Sequence, residues 1–286
     1  MKKIILCLVL LLVAQNVQAQ DCSTLKCSEP YDLTSGFSRG MSTITGQRFL
    51  AEKIGESLTK KAIKKNITSG DVKVDLDAYS VRDLKAGRFK SLEVKGKDVV
   101  IQGIHISSFN AKTLCNFNYI ANDKKGNFVV KEDIPASFNA EITEEDLNKT
   151  MSSTDYKRMI DDINSIGGSF NVFQITSTSI KLKNGKMYYI MKYSMPFVRK
   201  TKELVISANL KVENGQIILD NTSFLNNNMA FDVDKLSNLI NYINPLDFSA
   251  KILENKEAKF SVENVKISDG KINIDGNMVI LKDKEQ

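Results

Sequence analysis

Three parts of this chain alternate apolar and polar residues and then turn on a glycine preceded by Asn or Asp: Asn184-Gly185, Asn214-Gly215 and Asp269-Gly270. Alternation at period two puts successive side chains on opposite faces of a strand. An Asn-Gly or Asp-Gly step supplies the positive φ of a tight hairpin turn. Together they confine these segments to antiparallel hairpins. "DVKVDLDAYSV" from residue 71 repeats the pattern, with Val72, Val74 and Leu76 on one face and charge on the other. "FNYIA", "GNFVVKEDI" and "ASFNAEI" read as further strands. Residues 87–107, "GRFKSLEVKGKDVVIQGIHIS", start in the same way, with Phe89, Leu92 and Val94 among lysines, but then become apolar at consecutive positions, Val99-Val100-Ile101. Val129-Val130 and Ile217-Ile218-Leu219 do likewise. One face of such a strand packs on a helix; the second must meet another sheet layer or an apolar ligand.

Between the strand blocks the period changes to that of a helix. "RFLAEKIGESLTKKAIKKNI" sets Phe49, Leu50, Ile54, Leu58, Ala62, Ile63 and Ile67 on one stripe, with Glu52, Lys53, Glu56, Lys60 and Lys64 opposite. A second helix is predicted from Thr143, whose hydroxyl and Asp146 three residues on approximate a capping box. Its stripe is Leu147, Met151, Met159, Ile160 and Ile163, with a break expected near Ser153. A third, "FDVDKLSNLINYINP", ends at Pro245. No linker or low-complexity segment divides residues 47–286, which read as a single α+β domain. With 42% hydrophobic residues in 286, the chain can bury a sizeable core.

"MKKIILCLVLLLVAQNVQA", residues 1–19, has the charged start, short apolar run and small-residue end of an export signal, so the mature chain is expected to begin at Gln20 in a bacterial periplasm or cell envelope. Residues 20–46 form an irregular lead-in rich in Ser, Thr and Gly. Loss of Lys2 and Lys3 leaves 38 basic against 34 acidic side chains, a charge of +4. That balance does not point to nucleic acid, which calls for clustered arginines and stacking aromatics. In an oxidising compartment Cys22 and Cys27, close in sequence, are the expected bridge, with Cys115 a small buried thiol left free.

Nothing in the chain spells a catalytic centre. It has one histidine, His105, inside a strand pattern, so neither a zinc site nor a histidine-based nucleophile set is expected. Glycine-rich phosphate loops, G-x-S-x-G and H-E-x-x-H are not found. The carboxylates Glu144-Glu145-Asp146 suit the start of a helix. No enzyme activity, cofactor or metal is expected. Lys60, Lys61, Lys64 and Lys65 close the first helix, either as a solvated end favoured by the helix dipole or as a surface for anionic lipid headgroups.

"VRDLKAGRFKSLEVKGKDVVIQGIHISSFNAKT", "AEITEEDLNKTM", "FDVDKLSNLINYINPLDF" and "VENVKISDGKINIDGNM" together resemble the landmarks of the LmeA-like phospholipid-binding family over about residues 45–281. The resemblance implies a tubular lipid-binding-like fold, in which curved antiparallel strands wrap a long amphipathic helix around an apolar tunnel. It implies a non-enzymatic carrier or chaperone whose partner is a phospholipid or similar amphiphile. On that basis Phe49, Leu50, Ile54 and Leu58 of the helix, and Phe89, Leu92, Val94 and Ile101 facing it, are the expected lipid contacts. Lys60, Lys61, Lys64 and Lys65 would dock the protein transiently on an anionic membrane. The alternative is an envelope scaffold or interaction protein with a dry core and no ligand.

Overall fold

The computed structural model describes residues 47–122, 128–169, 174–195, 198–226 and 258–283, with isolated positions at 27, 33, 35–36, 39–40, 43, 243–246 and 249. The expected leader, Cys22, most of the lead-in and most of the third expected helix lie outside the described residues, as do the side chains of Leu50 and Lys65.

Helix α1 (Gln47–Asn66) leads into strand β1 (Ser69–Asp77), a short helix α2 (Val81–Lys85) and strands β2 (Arg88–Phe89), β3 (Ser91–Ile101), β4 (Ile104–Thr113), β5 (Asn118–Asn122), β6 (Phe128–Val130) and β7 (Ile134–Thr143). Helices α3 (Glu144–Met151) and α4 (Thr154–Ser169) follow, then β8 (Gln174–Lys183), β9 (Lys186–Ser194), β10 (Lys202–Glu213), β11 (Gln216–Phe224), β12 (Ala258–Ser268) and β13 (Lys271–Ile280). The described residues are thus mostly antiparallel sheet with a few helices. A six-stranded sheet has the order β1-β3-β4-β7-β13-β12, a four-stranded sheet the order β11-β10-β9-β8, and a small one the order β2-β5-β6.

The turns form where the sequence placed them. Asn184 and Gly185 have φ of 54° and 69°, and Asn214 and Gly215 have 51° and 74°, closing β8–β9 and β10–β11. The helix after β7 starts on the expected capping box: Asp146 N–H bonds the Thr143 hydroxyl at 3.1 Å, and Thr143 N–H bonds the Asp146 carboxylate at 2.9 Å. It breaks at Ser152-Ser153, giving α3 and α4 in place of one helix.

The doubly apolar stretch in β3 is explained by a hairpin end. The β1–β3 register shifts between Ser69 and Asp71, and Asp98 takes φ 52°. Gln102 and Gly103, with φ 50° and 82°, turn the chain into β4. Val99, Ile104 and Ile106 are buried there, and the His105 amide donates to the Thr150 hydroxyl of α3 at 3.0 Å. This consecutive apolarity serves packing at a strand end.

Two hydrophobic clusters sit at opposite ends of the six-stranded sheet. The larger joins Ile142, Ile272 and Ile274 of that sheet to Ile180, Met187, Tyr189 and Ile206 of the four-stranded one, sealed by Leu147, Met151 and Tyr156 of α3 and α4. The smaller contains Leu76, Phe89 and Ile134, with Leu92 and Leu84 against it.

Helix α1 does not match the amphipathic helix expected from its apolar stripe. Phe49, Ile54 and Leu58 are 61%, 63% and 55% exposed. The side turned inward carries Glu52, Gly55 and Glu56. Strand β1 is an edge strand, and its outward amides need acceptors. Glu52 Oε1 accepts from the Ala78 amide at 2.9 Å, and Glu56 Oε1 from the Leu76 amide at 3.4 Å. Gly55 lies so close to Leu76 that a Cβ would come 2.6 Å from its Cδ2. Carboxylates and a glycine therefore face the protein, and among the described residues no strand covers Phe49, Ile54 or Leu58.

The bridge expected between Cys22 and Cys27 is also corrected. Cys27 is bonded to Cys115, across 88 residues, so Cys115 is not free. Nearness in sequence is a weak guide to which thiols the fold brings together. The partner is the thiol that the fold presents, and Cys115 sits buried in the loop after β4, where the Asn118 amide donates to its carbonyl at 2.8 Å.

Candidate functional site

The register of the six-stranded sheet sorts its side chains into two chemically distinct faces. One cross-strand row runs Val74, Val94, Ala111, Phe138, Gly276, Val262 through all six strands. The next runs Val72, Gly96, Phe109, Ala140, Ile274, Val265. The opposite face reads Lys73, Lys95, Asn110, Asn139, Asp275, Asn264 in one row. Its polar groups satisfy one another: the Asn139 amide donates to Asp275 at 2.7 Å. An antiparallel sheet with one wet and one covered face alternates in this way.

Two glycines shape the apolar face. A Cβ at Gly96 would collide with the Phe109 ring, and one at Gly276 with the β12 backbone and with Phe138 at 3.0 Å. Each ring lies over the glycine of the neighbouring strand. Phe138 then meets Phe260 edge-on, with centroids 5.8 Å apart and planes at 79°. Phe138 and Val262 belong to the larger core, and Leu76 and Leu92 to the smaller. Between them Val74, Val94, Phe109, Ala111, Phe260 and Met278 are half-buried and belong to neither cluster. Methyl groups and rings of this kind can hold an alkyl chain, at about 0.8 kcal/mol per buried methylene.

Beside β1 the surface changes character. A cleft of ≈ 580 Å³ lies between α1 and the sheet edge, lined by Lys53, Glu56, Ser57 and Lys60 of the helix and by Lys73, Val74, Asp75, Glu93 and Lys95 of β1 and β3. Lys53 pairs with Glu56 at 2.7 Å and Lys95 with Glu93 at 2.9 Å. Lys60 and Lys73 have no carboxylate partner among the described residues.

The chain's one histidine, His105, sits in β4. Burial, and then the Lys149 charge, lower the His105 pKa, against the opposing pull of Asp146. Asp146 is itself raised by burial, but hydrogen bonds from Ser107 and Thr143 outweigh that and hold its pKa below the usual value. Ser107 gives its hydroxyl to Asp146, which fastens the helix start to β4. Among the described residues no group of three His, Cys, Asp or Glu could hold a metal ion, and no helix is long and apolar enough to cross a membrane.

A sequence model of LmeA-like phospholipid-binding proteins matches residues 46–277, most of the chain. The protein belongs to the LmeA-like phospholipid-binding family. No curated protein and no solved structure matches it. The family is a lipid-binding one, which agrees with a phospholipid as ligand.

Within this member of the family the expected contacts disperse. Val94 lies in the middle row of the apolar face. Leu92 packs on the smaller core, and Phe89 is 4% exposed inside it. Ile101 is half-buried at the β3–β4 turn. Phe49, Ile54 and Leu58 face outward on α1, and Leu50 lies outside the described side chains. Lys61 and Lys64 are exposed, whereas Lys60 lines the cleft. Sequence reasoning missed Phe109, Ala111, Phe260 and Met278. Each shows period two in its own strand, but membership of one strip depends on which strands adjoin.

Proposed function

We propose that the protein is an exported, non-enzymatic phospholipid-binding protein of the bacterial cell envelope, acting as a carrier or chaperone. The acyl chain lies on the central strip of the six-stranded sheet. The carrying observation is that this face is apolar through six strands, and that Val74, Val94, Phe109, Ala111, Phe260 and Met278 within it join neither hydrophobic cluster. The outward side of α1 supports a docking role: Ile54 and Leu58 are exposed beside Lys61 and Lys64, apolar groups next to cations, as suits an anionic bilayer surface. The leader-like first 19 residues support export. Organic extraction of gently purified mature protein, followed by mass spectrometry, tests the reading. A phospholipid at near-stoichiometric yield is expected, and protein that neither carries nor takes up lipid from vesicles would refute it. A scaffold with a dry core is the rival, favoured by Phe89 and Leu92, which sit in the smaller core.

A further inference from the structure

Helix α1 and strand β1 run past each other with nearly matched repeats. Four residues of helix advance about 6 Å and two residues of strand about 6.6 Å. Glu52 accepts from the Ala78 amide, and Glu56, four residues on, accepts from the Leu76 amide, two residues back. The next step pairs position 60 with Val74, and position 60 is a lysine. Alternate residues of an edge strand turn their amides the same way, so the Val74 N–H points where those of Leu76 and Ala78 point. No described residue gives it an acceptor. Val74 lines the ≈ 580 Å³ cleft together with Lys60 and Lys73, neither of which has a carboxylate partner among the described residues.

We infer that this cleft is a phosphate-recognition site, in which an anionic phosphate takes the place that a third carboxylate would hold in the Glu52, Glu56 series. The Val74 amide supplies a directed donor, and Lys60 and Lys73 supply charge. Of the acids lining the cleft, Glu56 and Glu93 are each engaged by a lysine, and Asp75 remains as the opposing charge. The site favours a phosphodiester or phosphate monoester of low charge over a polyphosphate, because only two cations remain uncommitted. Val74 connects the cleft to the apolar face: it lines the cleft and its side chain heads the row through Val94 and Ala111. A headgroup held here would lay its chain along that row. This part of the inference rests on the lipid-binding reading; the phosphate site itself does not.

The test is amide NMR on ¹⁵N-labelled mature protein. Inorganic phosphate should shift the Val74 resonance and slow its hydrogen exchange, with Leu76 and Ala78 little changed. Lys60→Glu completes the carboxylate series, so it should slow Val74 exchange with no phosphate present and weaken phosphate binding at least tenfold. Lys73→Ala should weaken it several-fold. Monomeric dihexanoyl phosphatidylglycerol distinguishes the sources: binding at least tenfold tighter than inorganic phosphate marks a lipid headgroup, and equal affinity marks free phosphate. A Val74 amide unmoved by both probes overturns the site. Lipid extracted from a wild type whose Val74 stays unmoved also overturns it, yet keeps the lipid-binding reading. A phosphate-responsive Val74 in protein without extractable lipid supports the site and sinks that reading.

Discussion

Replacing Cys27 by Ser should destabilise the protein more than any single surface change. The Cys27–Cys115 bond closes a loop with a sequence separation of 88. In the chain-entropy account, a cross-link of that span removes about 15 cal/mol/K from the unfolded ensemble, or ~4.6 kcal/mol at 25 °C, and measured bridges typically reach about 2–4 kcal/mol. The bond also ties Cys27 to the segment that packs on Tyr79, whose hydroxyl bonds the Asn116 carbonyl and whose ring stacks on Phe117 with centroids 5.5 Å apart. Cys27→Ser is the better variant because Cys115 is 2% exposed and its replacement would add a packing defect. Urea denaturation should give a loss of about 2–4 kcal/mol, and thermal melting a fall of about 10 °C, since 1 kcal/mol moves a domain of this size by roughly 2–4 °C. Reducing the wild type should reproduce the fall, and Cys22→Ser should leave the midpoint in place. The reasoning fails if Cys27→Ser changes stability by less than about 0.5 kcal/mol, or if a peptide map joins Cys22 to Cys27.

Tyr156→Phe should lose about 1–3 kcal/mol, seen in chemical denaturation, because the buried hydroxyl donates to the Ile243 carbonyl at 2.6 Å and lies 3.2 Å from the Tyr189 hydroxyl, so its removal leaves a buried acceptor unpaired. Leu58→Gln should alter the melting temperature little, since Leu58 is 55% exposed, whereas Val94→Gln should lower the recovery of bound lipid with only a modest loss of stability; a large loss in Val94→Gln with normal lipid would mark the strip as dry core. Burial makes His105 bind its proton more weakly in the folded protein than at the ordinary value of 6.5, so its contribution is full above that value and is lost as pH falls from there through the lowered folded value; His105→Gln should flatten that part of the stability–pH profile measured by denaturation.

The sheet's amphipathicity was readable without a structure. Val72, Val74 and Leu76 alternate with charged neighbours, and the same period in β3, β7 and β13 makes a surface with one apolar side whatever the strand order. The side of α1 that turns inward was not readable. A helical stripe is taken to face the core because apolar burial usually dominates. Here Glu52 and Glu56 face inward because an unpaired strand edge offers them amides, and that edge exists only once β1 is known to be outermost. The strip on the sheet was readable only in part: Val94 alternates with polar neighbours in its own strand, but Phe109, Ala111, Phe260 and Met278 join it from strands far apart in sequence.

By itself the sequence determined the local parts: hairpins at Asn184-Gly185, Asn214-Gly215 and Asp269-Gly270, the capping box of Thr143 and Asp146, the break near Ser153, and the two-faced strands. These depend on residues within a few positions of one another, so φ preferences and side-chain periodicity decide them. Tertiary structure alone decided what depends on strand order: the Cys27–Cys115 pairing, the outward turn of Ile54 and Leu58, the sinking of Phe89 into a dry cluster, and the alignment of six strands into one apolar row. Joining β7 to β13 brings positions such as Phe138 and Gly276 together across more than a hundred residues, and no pattern local to either strand encodes that contact.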